Sequence, residues 1–344
     1  MTIKDVANEA GVSIATVSRV LNNKDRVKNS TRKKIEEAIQ KLDFRPDQIA
    51  RTMIKKETKT IGLLVPNLKN EFWAGVATAI QDELWEKGFT TLLCATTTFE
   101  DSAEREEAFI RNFIQRRVDG VIYATLSGYH STGYHPAIKE LIDSNIPVVA
   151  FDQDIPDISK VRGAHLQGAL IAVEHLIRLG HNKIAYLGGP LFSPDRELGF
   201  RNAHTLNGLT VNEAIIKRGT PTHEFGSTAM LELLKSMEKF TAVFCANDMI
   251  ALGAMQCLIN AGVRIPEDVA VVGYDDIQMA HLTKPALTTI QQPIREMGSS
   301  VVNLLLNLIE DNNRPAQKLI FDMKLIVRES CGGMPMSKVK NEVC

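Results

Sequence analysis

Seven short apolar runs alternate with amphipathic stretches along residues 60–275, and this rhythm limits the chain to a small set of folds. The runs are IGLLV (61–65), TTLLCA (90–95), DGVIYA (119–124), IPVVAF (146–151), KIAYLG (183–188), TAVFCA (241–246) and VAVVGY (269–274). Between them, apolar residues recur at helical spacing near 73–88, 103–117, 136–144, 168–180, 226–236 and 248–262. Continuous Val/Ile/Leu runs separated by helices predict parallel strands covered on both faces. About ten such units over the whole region are too many for one open sheet of usual size, and the reading is two doubly wound lobes. Ligands in such folds lie beyond the carboxyl ends of the strands, so the cleft between lobes is the expected binding site.

The first 45 residues follow a different rule. Thr2, followed by Asp5, predicts a helix start, and Ile3, Val6, Ala7 and Ala10 share one face. Gly11-Val12-Ser13 breaks that helix: glycine tolerates a left-handed turn, and Ser13 can cap the next helix. Val17, Val20 and Leu21 give the second helix its own apolar face, which Asn22-Asn23 ends. A third helix is expected from Ser30-Thr31, with Ile35, Ala38, Ile39 and Leu42 inward, stopping before Pro46. Two short helices around a tight glycine turn, buttressed by a third, form a helix-turn-helix pattern. Residues 46–59 (PDQIARTMIKKETK) then read as a short helix with Pro46 at its first position, running into a charged linker. A helix this short is marginal alone, so DNA or a second copy is expected to order it.

Charge supports the division. Residues 1–60 carry 14 Lys+Arg against 8 Asp+Glu, an excess of six, so with a chain total of −1 the remainder carries −7. A basic module on an acidic body suits phosphate neutralisation. The whole chain, at 344 residues with 44% hydrophobic and 24% charged, reads as a globular protein of two or three domains. The five cysteines (Cys94, Cys245, Cys257, Cys331, Cys344) show neither CxxC nor a metal-ligand spacing, and Cys94 and Cys245 read as buried core thiols. No metal or cofactor is expected. The scattered thiols fit a reducing cytosol, and with no apolar signal core or membrane-length run the expected location is cytoplasmic.

The stretch TIKDVANEAGVSIATVSRVLNNKDRVKNSTRKKIEEAIQKLDFRPDQIAR closely resembles the head of the lac repressor (LacI/GalR) family. The resemblance continues through IGLLVPNLKNEFW, VEHLIRLGHNKIAYLGGP, TAVFCANDMIALGAM, RIPEDVAVVGYDD and PALTTIQQP, covering nearly the whole chain in order. It implies a helix-turn-helix head (1–45), a hinge helix and linker (46–59) and a periplasmic-binding-protein-like α/β core of two doubly wound lobes (60–331). The first lobe would take about 60–160 and 292–322, the second about 163–289 and 323–331, and a polar, loose tail would occupy 332–344. It also implies a homodimer on a two-fold operator.

In such a head the start of the second helix meets base edges in the major groove. This puts Ile14, Ala15, Thr16 and Arg19 at base edges, with Ser13 and Ser18 near phosphates or bases. Arg19 can pair bidentately with guanine, while Ile14 and Ala15 offer only apolar contact. Thr2, Asn22, Asn29, Thr31 and Arg32 are candidates for phosphate contacts, which set register. By resemblance, Ala50 matches the small hinge residue, and Met53 stands where a leucine usually wedges into the minor groove.

The family pattern also carries effector-binding positions onto Asn70, Phe72, Trp73, Asp152, Arg196, Asn247, Asp275 and Gln292. Phe72 and Trp73 could stack on a sugar ring, and Arg196 could clamp hydroxyls or a carboxylate. Asp152, Asn247 and Asp275 each follow an apolar run, at the expected rim; Asn247-Asp248 could equally cap the next helix. Two departures stand out. Gln153 replaces an arginine usual in relatives, removing a cation, and Ala164-His165 replaces a usual Asp-Asn pair, which suggests a less anionic or differently shaped effector. His165 itself is expected at the surface or a lobe edge.

The resulting expectation is a repressor of carbohydrate-utilisation genes, binding double-stranded operator DNA under control of a sugar-like effector. Control by a partner protein is the alternative. A transport-type sugar-binding protein is disfavoured by residues 1–59 and the lack of a signal peptide. An enzyme is disfavoured because no GxGxxG after a strand, GxSxG or P-loop occurs. Without leucine heptads after residue 330, a tetramerising tail is not expected.

Overall fold

The computed structural model describes residues 1–21, 27–44, 57–96, 102–125, 136–189 and 194–333. The chain divides into two compact units, Met1–Thr58 and Lys59–Cys344.

In the first unit three helices, α1 (Ile3–Glu9), α2 (Ile14–Leu21) and α3 (Asn29–Lys41), enclose Val6, Ala7, Val17, Val20, Ile35, Ala38 and Phe44. The Thr2 backbone N–H and hydroxyl both donate to the Asp5 carboxylate, at 2.7 and 3.0 Å, which anchors the start of α1. These bonds hold the Asp5 carboxyl below its usual value. Gly11 adopts φ +65° between α1 and α2, a conformation that costs glycine little. Helix α3 begins one residue earlier than the sequence suggested. The hinge helix expected in 46–59, and most of the tail, lie outside the described residues.

The second unit carries two parallel sheets and a small antiparallel pair. Its first half runs β1 (Thr60–Val65), α4 (Glu71–Glu86), β2 (Thr90–Ala95), α5 (Ser102–Gln115), β3 (Gly120–Tyr123), α6 (Pro136–Asp143), β4 (Val148–Phe151) and β5 (Ser159–Gly163). Next come α7 (His165–Arg178), β6 (Ile184–Gly188), α8 (Pro194–Leu206), β7 (Ile216–Arg218), α9 (His223–Lys235), β8 (Ala242–Cys245), α10 (Asp248–Asn260), β9 (Ala270–Val272) and α11 (Gln278–Leu282). The chain closes with β10 (Thr289–Gln291), α12 (Ile294–Glu310), β11 (Lys318–Phe321) and β12 (Lys324–Ile326). Sheet order is β11-β5-β4-β3-β1-β2 in the first lobe and β7-β6-β8-β9 in the second. Every pairing within these two sheets is parallel, and β10 pairs antiparallel with β12.

The chain therefore passes between lobes three times: from β5 into α7, from β10 into α12, and from β11 into β12. The stretch after β12 returns beside β9, where the Ser330 hydroxyl donates to the Val271 carbonyl and the Val271 N–H donates to the Ser330 carbonyl. All seven apolar runs contain a strand, but β5, β7, β10, β11 and β12 and helices α8, α11 and α12 carried no run that marked them. β5 (SKVRG) hides because Lys160 and Arg162 interrupt it; Lys160 is buried and donates to Asp154 at 2.8 Å. Cys245 is buried as expected, whereas Cys94 is only half-buried because β2 is an edge strand.

Candidate functional sites: a helix-turn-helix surface and an inter-lobe polar cluster

In the head, Ser13 caps α2. Its hydroxyl oxygen accepts from the Thr16 N–H at 3.2 Å and lies 2.8 Å from the Thr16 hydroxyl. Val17 and Val20 take up the inner face, so the outer face falls to Ile14, Ala15 and Arg19, all exposed. Ile14 is 44% exposed, so it is not a core position. Arg19 has no hydrogen bond or ion pair among the described residues. Thr16, Ser18, Thr31 and Arg32 are half-buried, and Thr2, Ser13 and Asn29 are exposed. Asn22, Ala50 and Met53 lie outside the described residues.

In the second unit, Asp152, Arg196, Asp275 and Gln292 converge. Asp152 follows β4 with φ +58°, and its Oδ1 accepts from the Gly163 N–H at 3.3 Å and from His165 Nε2 at 2.6 Å. The other ring nitrogen, Nδ1, meets the Tyr274 hydroxyl at 3.1 Å. The Tyr274 ring lies 3.8 Å beneath the Arg196 guanidinium, which pairs with Asp275 at 3.2 Å. Asp275 also accepts from Gln292 Nε2 at 2.7 Å, while the buried Gln292 Oε1 has no partner among the described residues. The six side chains form one polar chain spanning both lobes, and all are buried.

Their electrostatics differ. Burial opposes charge on Asp152, but the adjacent His165, with Arg196 and Arg162 beyond it, holds its carboxyl at about 2. At Asp275 burial wins over Arg196 and the Gln292 bond, and the carboxyl is pushed up to about 6. Burial also raises the Tyr274 phenol. Asp248, fully buried, is raised well above the usual carboxyl range by burial and by Asp275; it accepts from the Thr289 hydroxyl at 2.6 Å and from the Ile277 N–H at 3.0 Å.

The remaining candidates do other work. Asn70 caps α4 by accepting from the Phe72 N–H at 3.0 Å, and Asn247 caps α10 by accepting from the Ile250 N–H at 2.8 Å. Phe72 lines a cavity of about 310 Å³ together with Asp275, Ile277 and Ile294. Trp73, read as a stacking face, is only 8% exposed and packs edge-on against Phe72 and Phe151 in the core. Its position three residues into α4 turns it toward the sheet.

Of the two places expected for His165, the surface is ruled out and the lobe edge holds: it is 4% exposed and central to the cluster, because Gly163 ends β5 and places the first residue of α7 against Asp152. Arg162 on β5 brings a cation close enough to act on Asp152, and it also reaches Asp195 of α8 at 2.8 Å. Tyr274 was missed altogether; its place at the end of an apolar run was the available signal.

Residues 2–47 match "Bacterial regulatory proteins, lacI family", and residues 173–331 match "Periplasmic binding protein-like domain". Catabolite control protein A of Priestia megaterium is 35% identical over 89% of this chain and 91% of its own length. The chain belongs to the lacI family of bacterial regulatory proteins. A second lacI-family relative, the HTH-type transcriptional repressor PurR of Vibrio atlanticus, is 34% identical over 94% of this chain and 95% of its own length. Among solved structures, the lac repressor dimer bound to operator and the anti-inducer ONPF superposes with a TM-score of 0.85 at 30% identity, covering 96% of this chain and 99% of that one. The regulator CelR in complex with cellobiose gives 0.71 at 31% identity, with the same coverage. The lacI-family chain is thus a DNA-binding transcription regulator and not an enzyme, with a helix-turn-helix head and a periplasmic-binding-protein-like core. No helix among the described residues is long and apolar enough to cross a membrane.

Proposed function

We propose that the protein is a homodimeric repressor that reads a palindromic operator through Ile14, Ala15, Thr16 and Arg19 and responds to a sugar-like effector in the cleft between its lobes. The exposed outer face of α2, with Arg19 unengaged and Ile14 outside the core, carries the DNA half of this reading. The polar chain from Asp152 to Gln292 supports the effector half: it draws on both lobes, so a ligand there touches each and biases their angle. A coupling of about 1–3 kcal/mol suffices for roughly a 5–150-fold change in operator affinity. The genes controlled are those of carbohydrate use, and the protein acts in the cytoplasm. Ser13, Ser18, Thr2, Asn22, Asn29, Thr31 and Arg32 serve as phosphate or flanking contacts, and Ala50 and Met53 as the paired minor-groove hinge.

The test is binding of purified protein to genomic DNA fragments at physiological ionic strength, followed by footprinting. The expected result is a protected palindrome with half-sites related by two-fold symmetry. Arg19→Ala is expected to cost about 1–3 kcal/mol of specific binding and to relax preference at one base pair. Equal binding to random duplexes, with and without added sugars, overturns the reading.

A further inference from the structure

The inter-lobe cluster contains a residue that no sugar-recognition argument requires. His165 belongs to α7 of the second lobe, yet its Nε2 sits 2.6 Å from Asp152 Oδ1 at the end of β4 in the first. A carboxylate can only accept, so Nε2 carries the proton. In the neutral ring Nδ1 is then an acceptor, and the Tyr274 hydroxyl 3.1 Å away is its donor. One imidazole thus satisfies a first-lobe carboxylate and a second-lobe phenol together.

Two glycines make the space. A Cβ on Gly163 would stand 1.9 Å from Met323 Cε and 3.0 Å from the His165 ring. A Cβ on Gly168, one turn along α7, would stand 2.5 Å from the Tyr274 hydroxyl. At Gly168 a side chain would push directly on the phenol, and at Gly163 it would crowd the Met323 end and the edge of the His165 ring. The groups facing His165 are Asp152 from the end of β4 and Tyr274 from the end of β9, with Arg196 of α8 and Asp275 beyond them.

We propose that His165 is the positioning residue of the effector cleft: it joins Asp152 to Tyr274 and holds the two lobes together when no ligand is present. A ligand that reaches Asp152 displaces an imidazole N–H. The lobes stay joined when that ligand supplies both a donor to Asp152 and an acceptor for the Tyr274 hydroxyl, and part when it supplies only one. The inference rests on the cleft being the effector site.

The experiment is hydrogen–deuterium exchange on the full chain without DNA or ligand, so it reads the bridge even if no operator or sugar is ever found. In His165→Ala, amides near Gly163 and Tyr274 are expected to exchange about tenfold faster, while those of β1 and β8 stay unchanged. His165→Gln, whose amide offers both a donor and an acceptor, is expected to return to within about twofold of wild type. Gly168→Ala, which leaves every polar group in place but crowds Tyr274, is expected to reproduce the faster exchange near Tyr274. Unchanged exchange in His165→Ala overturns the proposal. So does an equal rise in β1 and β8, which makes the ring a space-filler, or a Gln variant no better than Ala.

Discussion

The Arg196 guanidinium carbon lies over the ring of Tyr274, 3.8 Å from its centre, and the same group pairs with Asp275, the residue after Tyr274, at 3.2 Å. One planar cation thus serves a π face and a carboxylate at once. Lysine cannot do both, since its charge is a point on a flexible stem. Arg196→Lys is expected to lower stability by about 2 kcal/mol, the scale of a desolvated cation–π contact. Denaturant unfolding of the second unit's transition measures it; a loss within experimental error would show that the stacking is incidental.

The carboxyl of Asp275, raised to about 6 by burial, makes a pH prediction. A raised folded-state value means that the native protein holds this proton more tightly than the unfolded chain. The contribution is therefore present at low pH and is lost as pH rises from near 4 through 6. Asp275→Asn removes that part of the pH dependence. Melting temperatures of the two proteins between pH 4 and 7 should diverge in slope across this window, and parallel curves would refute the shift.

Asp152 has the opposite sign. Held at about 2, it contributes stability that is complete above its ordinary value of 3.8 and lost as pH falls toward 2. The shift corresponds to about 2 kcal/mol. Asp152→Asn should lose most of that at pH 7 and show little difference from wild type near pH 2, by urea titration at both pH values.

How far the site could be read from residues alone depended on what each side chain was doing. Asp152, Arg196, Asp275 and Gln292 were identified by resemblance, and they meet. Asn70 and Asn247 have the same signature, but their oxygens close helix ends, a competition foreseen only for Asn247. For His165 the surface and the lobe edge both stayed open, because a histidine after a charged, irregular strand gives no periodic cue to burial; its burial depends on β5 pairing between β4 and β11, a long-range fact. Helix α8 escaped for a related reason: its inward face carries Arg196 and His204 among Phe200 and Ala203, so apolar periodicity is broken by buried polar groups.

Trp73 supplies a discriminating substitution. Buried against Phe72 and Phe151, it is expected to act through packing, so Trp73→Ala should destabilise the second unit by about 3–5 kcal/mol. Trp73→Phe should keep whatever ligand binding the wild type has. Loss of binding in a Phe variant of normal stability would return Trp73 to the ligand face.

In the head, Ser13 and Ile14 are neighbours with separable roles. Ser13→Ala removes the bond to the Thr16 N–H and should cost about 1 kcal/mol of head stability. Ile14→Ala should leave that stability alone and weaken operator binding. Thermal unfolding of the first unit alongside gel shift distinguishes them; equal melting losses would mean that Ile14 is part of the packing.

Two of the three chain passages between the lobes, through β10 and β12, are zipped to each other along Thr289–Gln291 and Lys324–Ile326. The pair packs against α7 and gives Ile290 and Leu325 to the core of the second lobe, so these two passages leave that lobe from one shared edge. The three links to the first lobe are the short segments after β10, before β12 and after β5. Bending at these few segments is the motion by which a ligand in the cleft would change the angle between the lobes.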